Sequence, residues 1–238
     1  GVPSGFDLDA NGRRGDARDA WGYGRFAGDG GLAVLSHFPI SGDAVQDYSG
    51  FLWKDLPGAQ LPVTDTGPFP SADAQAAMRR TSTAHWIVPV SLPDGAPLSL
   101  FAFSSTPPVF DGPEDANGMR NRDELRFWQA LLDGTLGPAP EGFVIAGNAN
   151  LDPLAGDGLS SEMAAFLENP QLQDPLPGRP TADWSRDGPG QLRVSYVLPS
   201  TDWQVVDAGV VWPAADDPLR VAVDMAGPHH LVWVDISR

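Results

Sequence analysis

Cysteine is absent from the 238-residue chain, which excludes a disulfide framework, a thiol nucleophile and any cysteine-held zinc or iron–sulfur centre. Histidine is scarce, with only His37, His85, His229 and His230, so a histidine-rich zinc centre is excluded as well. His229 and His230 are adjacent, and neighbours on an extended backbone point to opposite sides; only one of them can face a shared ion. Positive charge is short too. Fifteen Lys and Arg against 31 Asp and Glu give a formal charge of −16, which opposes the phosphate backbone and makes duplex nucleic acid an unfavourable partner. The grouped arginines, Arg13, Arg14, Arg18 and Arg25 among them, read as solvated faces and partners for abundant acids. No apolar run approaches the roughly 18 residues of a membrane-spanning helix, and the first residues do not read as a signal peptide.

What remains is turn-rich and apolar enough to fold. Hydrophobic residues make up 42% of the chain, with 27 Gly and 24 Pro but only 19% charged residues. That composition excludes a disordered chain and favours a sandwich or α/β layer fold over a helix bundle. Long helices should be few. The acidic surface suits a periplasmic or extracellular setting.

The stretch Phe143–Pro153 (F-V-I-A-G-N-A-N-L-D-P) reads as a buried strand, Phe143–Ala146, that delivers a polar pair at its C-terminal end. Asn148 and Asn150 are two apart, which on extended backbone places them on one side. Gly147 permits a close approach to the main chain. The plainer reading is a strand running into a polar turn closed by Asp152-Pro153.

Residues 1–30 form a Gly- and Asp-rich loop that Trp21, Tyr23 and Phe26 are placed to anchor on a core. Within it, D-L-D-A-N-G puts the oxygen side chains of Asp7, Asp9 and Asn11 at alternate positions before Gly12, the pattern of a calcium loop. Position 12 is Arg18 rather than a bidentate Glu, so Asp16 or Asp19 would supply the remaining carboxylate. The alternative is an Asx-type turn satisfying its own backbone. Leu32–Ser36 reads as a short buried strand. Residues 40–80, with Pro57, Pro62, Pro68 and Pro70, read as a long surface excursion holding one short helix.

Trp86–Val90 and Leu98–Phe103 are expected strands of a hairpin turning at Pro93-Asp94-Gly95. A helix is expected over Glu124–Leu132, capped by Asn121 or Asp123, with Leu125, Trp128, Leu131 and Leu132 on its apolar face. A second follows near Ser161–Glu168, capped by Ser160 or Ser161. Arg193–Leu198, Gln204–Val211 and Leu231–Ile236 are the closing strands, and Gln171–Gly190 is loop.

Four strand ends carry phrases in a telling order: F-S-S-T-P-P-V-F-D-G-P-E-D-A-N-G (Phe103–Gly118), A-G-N-A-N-L-D-P (Ala146–Pro153), R-V-S-Y-V-L-P-S (Arg193–Ser200) and G-P-H-H-L-V-W-V-D-I (Gly227–Ile236). With Gly5–Arg13 and Gly22–Ser36, they resemble the endonuclease/exonuclease/phosphatase superfamily, in particular its exported bacterial branch, over nearly the whole chain. The resemblance implies a single-domain four-layer α/β sandwich of two packed, mostly antiparallel sheets, with the site at the loop-bearing strand ends. It also implies phosphoester hydrolysis assisted by Mg2+ or Mn2+, with a carboxylate and an Asn positioning water and a His assisting the phosphate.

The residues depart from that pattern. Where the family has G-D-x-N, this chain has Gly147-Asn148-Ala149-Asn150: Asn150 is kept and Asn148 replaces the carboxylate. Its R-x-D-Y is Arg193-Val194-Ser195-Tyr196, and its S-D-H is Gly227-Pro228-His229, keeping His229 without its acid. Ser104 stands where a His precedes T-P-P. A carboxamide takes no proton from water near neutral pH, and residues acting as a unit fail together. A degenerate member with a binding or structural role is therefore expected, the alternative being an active phosphoesterase built from Asn148, Asn150 and His229 with Asp152 or Asp157. The family's first strands would precede everything seen here. A sheet lacking them exposes edges and apolar surface, which implies self-association or a partner covering the gap.

Overall fold

The computed structural model describes residues 1–238, the side chain of Pro97 excepted. A five-stranded mixed sheet organises it. Its strands, in spatial order, are β1 (Gln46–Asp47), β2 (His85–Ser91), β3 (Pro97–Ser104), β4 (Phe143–Asn148) and β5 (Ser195–Pro199). β2 and β3 form the expected hairpin, in register from His85 opposite Phe103 to Ser91 opposite Pro97. Its turn uses Gly95 at φ 79° and an Asp94 carboxylate that accepts the Ala96 N–H at 3.0 Å. β4 lies parallel to β3, so the chain must cross over between them, and the helix α2 (Ala116–Leu132) makes that crossing. β5 returns antiparallel to β4.

One face of this sheet is buried under α2 and the helix α3 (Ser160–Leu167). Period-two alternation sends Phe101, Phe103, Phe143, Ile145, Tyr196 and Leu198 to that face, where they meet Phe127, Trp128, Leu131, Met163 and Phe166. Rings provide much of the area. Trp128, fully buried, stacks on His85 at 4.9 Å and on Phe101 at 5.1 Å, and Phe101 stacks on Phe143 at 4.9 Å. A second, two-stranded antiparallel sheet, β6 (Gln204–Val210) with β7 (Val232–Ser237), packs beside β5. The architecture is the α/β sandwich that the sequence implied.

α2 begins eight residues earlier than the expected Glu124. Its first half, A-N-G-M-R-N-R-D, lacks apolar periodicity, and its N-cap Asp115 sits in the left-handed region at φ 50° without a capping bond. Those turns are held by tertiary hydrogen bonds of buried polar side chains, which periodicity does not register. α3 is capped by Leu159 rather than by a serine, Ser160 being its first helical residue. The short helix of the 40–80 stretch is α1 (Ala72–Ala77), capped by Ser71, and the same stretch inserts Trp53 and Leu56 into the interior. Two elements lay outside expectation: the pair Ala182–Trp184 with Gly190–Leu192, and a short exposed helix α4 (Arg220–Ala226).

Leu32–Ser36 is not a strand. The segment is irregular, and Leu35 is 95% exposed. A short apolar run satisfies a strand's propensity but not its backbone; pairing needs a neighbour, and among the described residues none lies alongside it. The chain joins the sheet edge only afterwards, where Ile40 bridges Val90 and Ser41 N–H donates to the Pro89 carbonyl. Tyr23 and Phe26 do not anchor the N-terminal loop, since both are exposed; Trp21 does, against Phe6 and the Arg79 guanidinium. Among the described residues no helix is long and apolar enough to cross a membrane.

Trp128→Ala should cost about 3–5 kcal/mol of unfolding free energy, while Leu35→Ala should stay within about 0.5 kcal/mol of the native chain. Urea unfolding midpoints measure both.

Candidate functional site

The sheet registers place Ser104 and Ser195 on either side of Asn148. Three adjacent strand ends thus carry one row, Ser104–Asn148–Ser195, facing away from the helical layer because Phe103 and Tyr196, the preceding and following residues, point into it. Gly147 is needed one step back: a Cβ there would lie 2.2 Å from the Phe103 carbonyl oxygen and 2.5 Å from its ring. The close approach allowed by this glycine is therefore made by the neighbouring strand.

Asn150 joins the row by a different route from the pleat expected of it. It lies beyond β4 in the left-handed region at φ 49°, where Asn is tolerated. Its N–H donates to Asn148 Oδ1 at 3.1 Å, and Asn148 Nδ2 donates to Asn150 Oδ1 at 2.9 Å. Asn150 Nδ2 donates in turn to the Ser105 carbonyl at 2.7 Å. Both amides are thus spent on fastening two loops.

α2 holds the same loops from behind. The Glu124 carboxylate accepts the Ser82 and Thr106 N–H groups, each at 2.6 Å, and Asn121 Nδ2 donates to the Thr106 and Ala149 carbonyls at 2.8 and 2.7 Å. Burial pushes the Glu124 carboxyl up, against the lowering effect of Arg120 and of the two N–H groups. Burial also lowers the Arg80 guanidinium to about 9; it lies 4.0 Å from the Phe127 ring centre. Sequence reading missed Asn121 and Glu124 as positioning residues. Their signal was present: Asn121, Glu124, Leu125 and Trp128 fall at i, i+3, i+4 and i+7, one helical face.

His229 lies in the segment before β7. Its backbone bridges Ala182, next to the Thr181 hydroxyl that accepts the Val194 and Ser195 N–H groups at 2.9 Å each. Its ring meets Trp184 edge-on at 5.1 Å, and burial lowers its pKa. Among the described residues it makes no hydrogen bond to Ser104, Asn148, Asn150 or Ser195. His230 points elsewhere, stacked on Trp212 at 3.8 Å. Asp152 is committed to backbone, accepting the Arg193, Leu154 and Ala155 N–H groups at 2.6, 2.8 and 3.1 Å. A cleft of about 1080 Å³ opens beside the row, with Ser104 and Asn150 on its wall.

In the N-terminal loop Asp7, Asp9 and Asp19 lie together, while Asn11 and Asp16 hydrogen-bond within the same loop, Asn11 Oδ1 accepting the Arg13 N–H and Asp16 the Arg18 N–H in Asx-type turns. The carboxylates of Asp7, Asp9 and Asp19 have oxygens within 4.8 Å of one another. Asn11 Nδ2 donates to Asp9 and Asp16 at 3.0 and 3.1 Å, and Asp7 accepts the Asn11 and Gly12 N–H groups. Asp19 is buried and accepts from the Leu8 and Gly15 backbone, both at 2.7 Å.

The family model described as Endonuclease/Exonuclease/phosphatase family matches residues 3–234. The chain belongs to that family. Among curated proteins none matches. An endonuclease/exonuclease/phosphatase from Beutenbergia cavernae DSM 12333 shares the fold, with a TM-score of 0.53 at 16% identity over 84% of this chain and 46% of that one. The human Nocturnin catalytic domain with bound sulfate anion scores 0.44 at 13% identity, over 84% and 60%. A beta toxin from Staphylococcus aureus with bound magnesium ions scores 0.38 at 13% identity, over 65% and 55%. This chain therefore spans about half the length of the solved structures it matches. Endonuclease/exonuclease/phosphatase proteins are generally dependent on a divalent metal. The row itself offers two hydroxyls and two amides bonded to each other, and no carboxylate.

The buried imidazole under this site gives a pH test. Its Nε2 lies 3.1 Å from the Glu124 carbonyl and must donate, leaving Nδ1 to accept from the Thr81 hydroxyl at 3.0 Å. Burial, with Arg80 adding to it, holds His85 well below the usual imidazole range. The unfolded chain binds this proton near pH 6.5 and the fold does not. Stability is thus fully present above that value and falls below it, by up to about 1.4 kcal/mol per pH unit from this group. Urea unfolding between pH 7.5 and 5 should show a shallower pH slope for His85→Phe than for the native chain; equal slopes would contradict a neutral buried His85.

Proposed function

We propose that this endonuclease/exonuclease/phosphatase-family protein is a binding or structural member that does not hydrolyse phosphoesters. The observation that carries this reading is the row Ser104–Asn148–Ser195, which lies where the family's site is expected and holds no carboxylate. A general base contributes about 10²–10⁴ in rate, and neither amide of the Asn148–Asn150 pair can take a proton. The nearest carboxylate along the chain, Asp152, already accepts three backbone N–H groups, which weighs against the alternative of an active phosphoesterase using unorthodox groups. His229 makes its ring contact with Trp184.

With Mg2+ or Mn2+ and a chromogenic phosphodiester or phosphomonoester, the purified protein should give no turnover above a buffer control. Turnover that disappears in Asn150→Ala or His229→Ala would sink the reading.

We further propose that Asp7, Asp9 and Asp19, with Asn11 and Asp16 beside them, hold a structural Ca2+. The gathering of three carboxylates in one loop supports it. Calcium at about a hundred times its Kd should raise Tm by about 5–10 °C, reversibly with a chelator and not in Asp9→Asn. A melting temperature indifferent to both calcium and chelator counts against the site.

A further inference from the structure

Leu32–Ser36 has the sequence of a strand and no strand to lie beside. Among the described residues it makes no backbone–backbone hydrogen bond, and none of its five residues is buried. It lies within residues 30–42, which hold no Asp, Glu, Lys or Arg. Only two other stretches of that length or more are free of such residues, 81–93 and 95–110, and they carry β2 and β3. An acidic chain thus keeps a charge-free, apolar, unpaired run in water, where natural proteins place charges to block edge pairing.

The β6–β7 ribbon has the complementary defect. Among the described residues neither strand has a second neighbour. Its register sets Val205, Ala208 and Val210 opposite Ile236, Val234 and Val232 on one face, and Asp207 opposite Asp235 on the other. That is the division of a sheet with one covered face, yet none of the six apolar residues is buried. The two free edges differ. The register of β6 shifts between Val205 and Asp207, an irregularity of the kind that ends pairing, whereas β7 runs without a break from Val232 to Ser237.

The unpaired segment fits the unpaired edge. Alternation puts Leu32, Val34 and Ser36 on one side of an extended Leu32–Ser36, with Ala33 and Leu35 on the other. Beside β7, the first set widens the apolar face of the ribbon and the second stays in water. Within one chain the two do not pair. A basic partner would be drawn by acidic side chains, and this stretch has none to offer. Two copies, each of formal charge −16, repel over most of their surface and least along it. Each copy holds one segment to give and one edge to receive, so two such contacts about a two-fold axis close a pair.

We infer that two copies of this chain associate by strand exchange, Leu32–Ser36 of one copy adding to the free edge of β7 in the other. The inference goes beyond the role proposed above and holds whether or not the row turns over phosphoesters. Light scattering during size-exclusion chromatography should give twice the mass of one chain. The dimer should strengthen as NaCl rises from about 0.05 to 0.5 M, because salt screens the repulsion between acidic copies. Val34→Pro fixes φ and removes a backbone donor, so it should elute at the mass of one chain; the segment is irregular within the single chain, and circular dichroism of this variant should therefore keep the native shape. The absence of cysteine allows a direct test of which parts meet. Val34→Cys chains mixed with Val234→Cys chains should be joined by a short bismaleimide several-fold more than either chain alone. A single-chain mass at every concentration and salt, polydisperse assemblies with no discrete dimer, or a dimer that persists in Val34→Pro overturns the exchange. So does crosslinking of Val34→Cys chains alone that equals the mixture.

Discussion

A single carboxylate, buried on the inner edge of α2, governs where the loops of this protein lie. Glu124 takes one N–H from the segment before β2 and one from the segment after β3, and Asn121, one turn earlier, takes carbonyls from the loops after β3 and β4. These bonds cross long sequence separations and are made where water cannot compete. Burial raises the Glu124 carboxyl while two N–H groups and two guanidinium groups oppose that rise, so the charge and its donors need one another. The aromatic stack from His85 through Trp128 to Phe143 holds α2 against the sheet. With the helix placed, the loops follow.

That arrangement explains how a scaffold of the endonuclease/exonuclease/phosphatase family keeps its shape with amides and hydroxyls at its strand ends. The row Ser104–Asn148–Ser195 is set by sheet register, which depends on backbone pairing and the burial of alternate residues and not on what the row's own side chains are. Asn148 and Asn150 are bonded to each other, and Asn150 to the Ser105 carbonyl. A carboxylate at position 148 would have no Nδ2 to donate to Asn150, so the amide contributes to the loop's closure.

The chain shows how far local pattern reaches. Strands β2 to β5, the β2–β3 turn and the apolar face of α2 were legible because alternation and helical spacing record burial directly. Leu32–Ser36 has an equally good strand pattern and is irregular, because a strand exists only beside another. The first half of α2 was illegible for the opposite reason: Asn121, Arg122, Asp123 and Glu124 are buried as hydrogen-bonding groups, and hydropathy reads them as surface. Tyr23 and Phe26 were read as anchors and are exposed, since aromatic character states what a side chain gains from burial and not whether a neighbour arrives.

By itself the sequence determined the family, the order of the strand ends and the chemistry each can offer: no cysteine, no carboxylate at Asn148 or Ser195, and oxygen side chains clustered between Asp7 and Asp19. Those are properties of residue identity and spacing, and folding does not alter them. Only the tertiary structure decided which groups meet. It drew Ser104, Asn148, Asn150 and Ser195 together and turned His229 onto Trp184. It also spent Asp152 on backbone and opened a cleft beside the row. The physical reason is that most of these contacts, Ser104 with Asn148, Asn148 with Ser195, Asp152 with Arg193 and Trp184 with His229, join residues about forty or more positions apart, and only packing and hydrogen bonding in three dimensions bring such residues within reach.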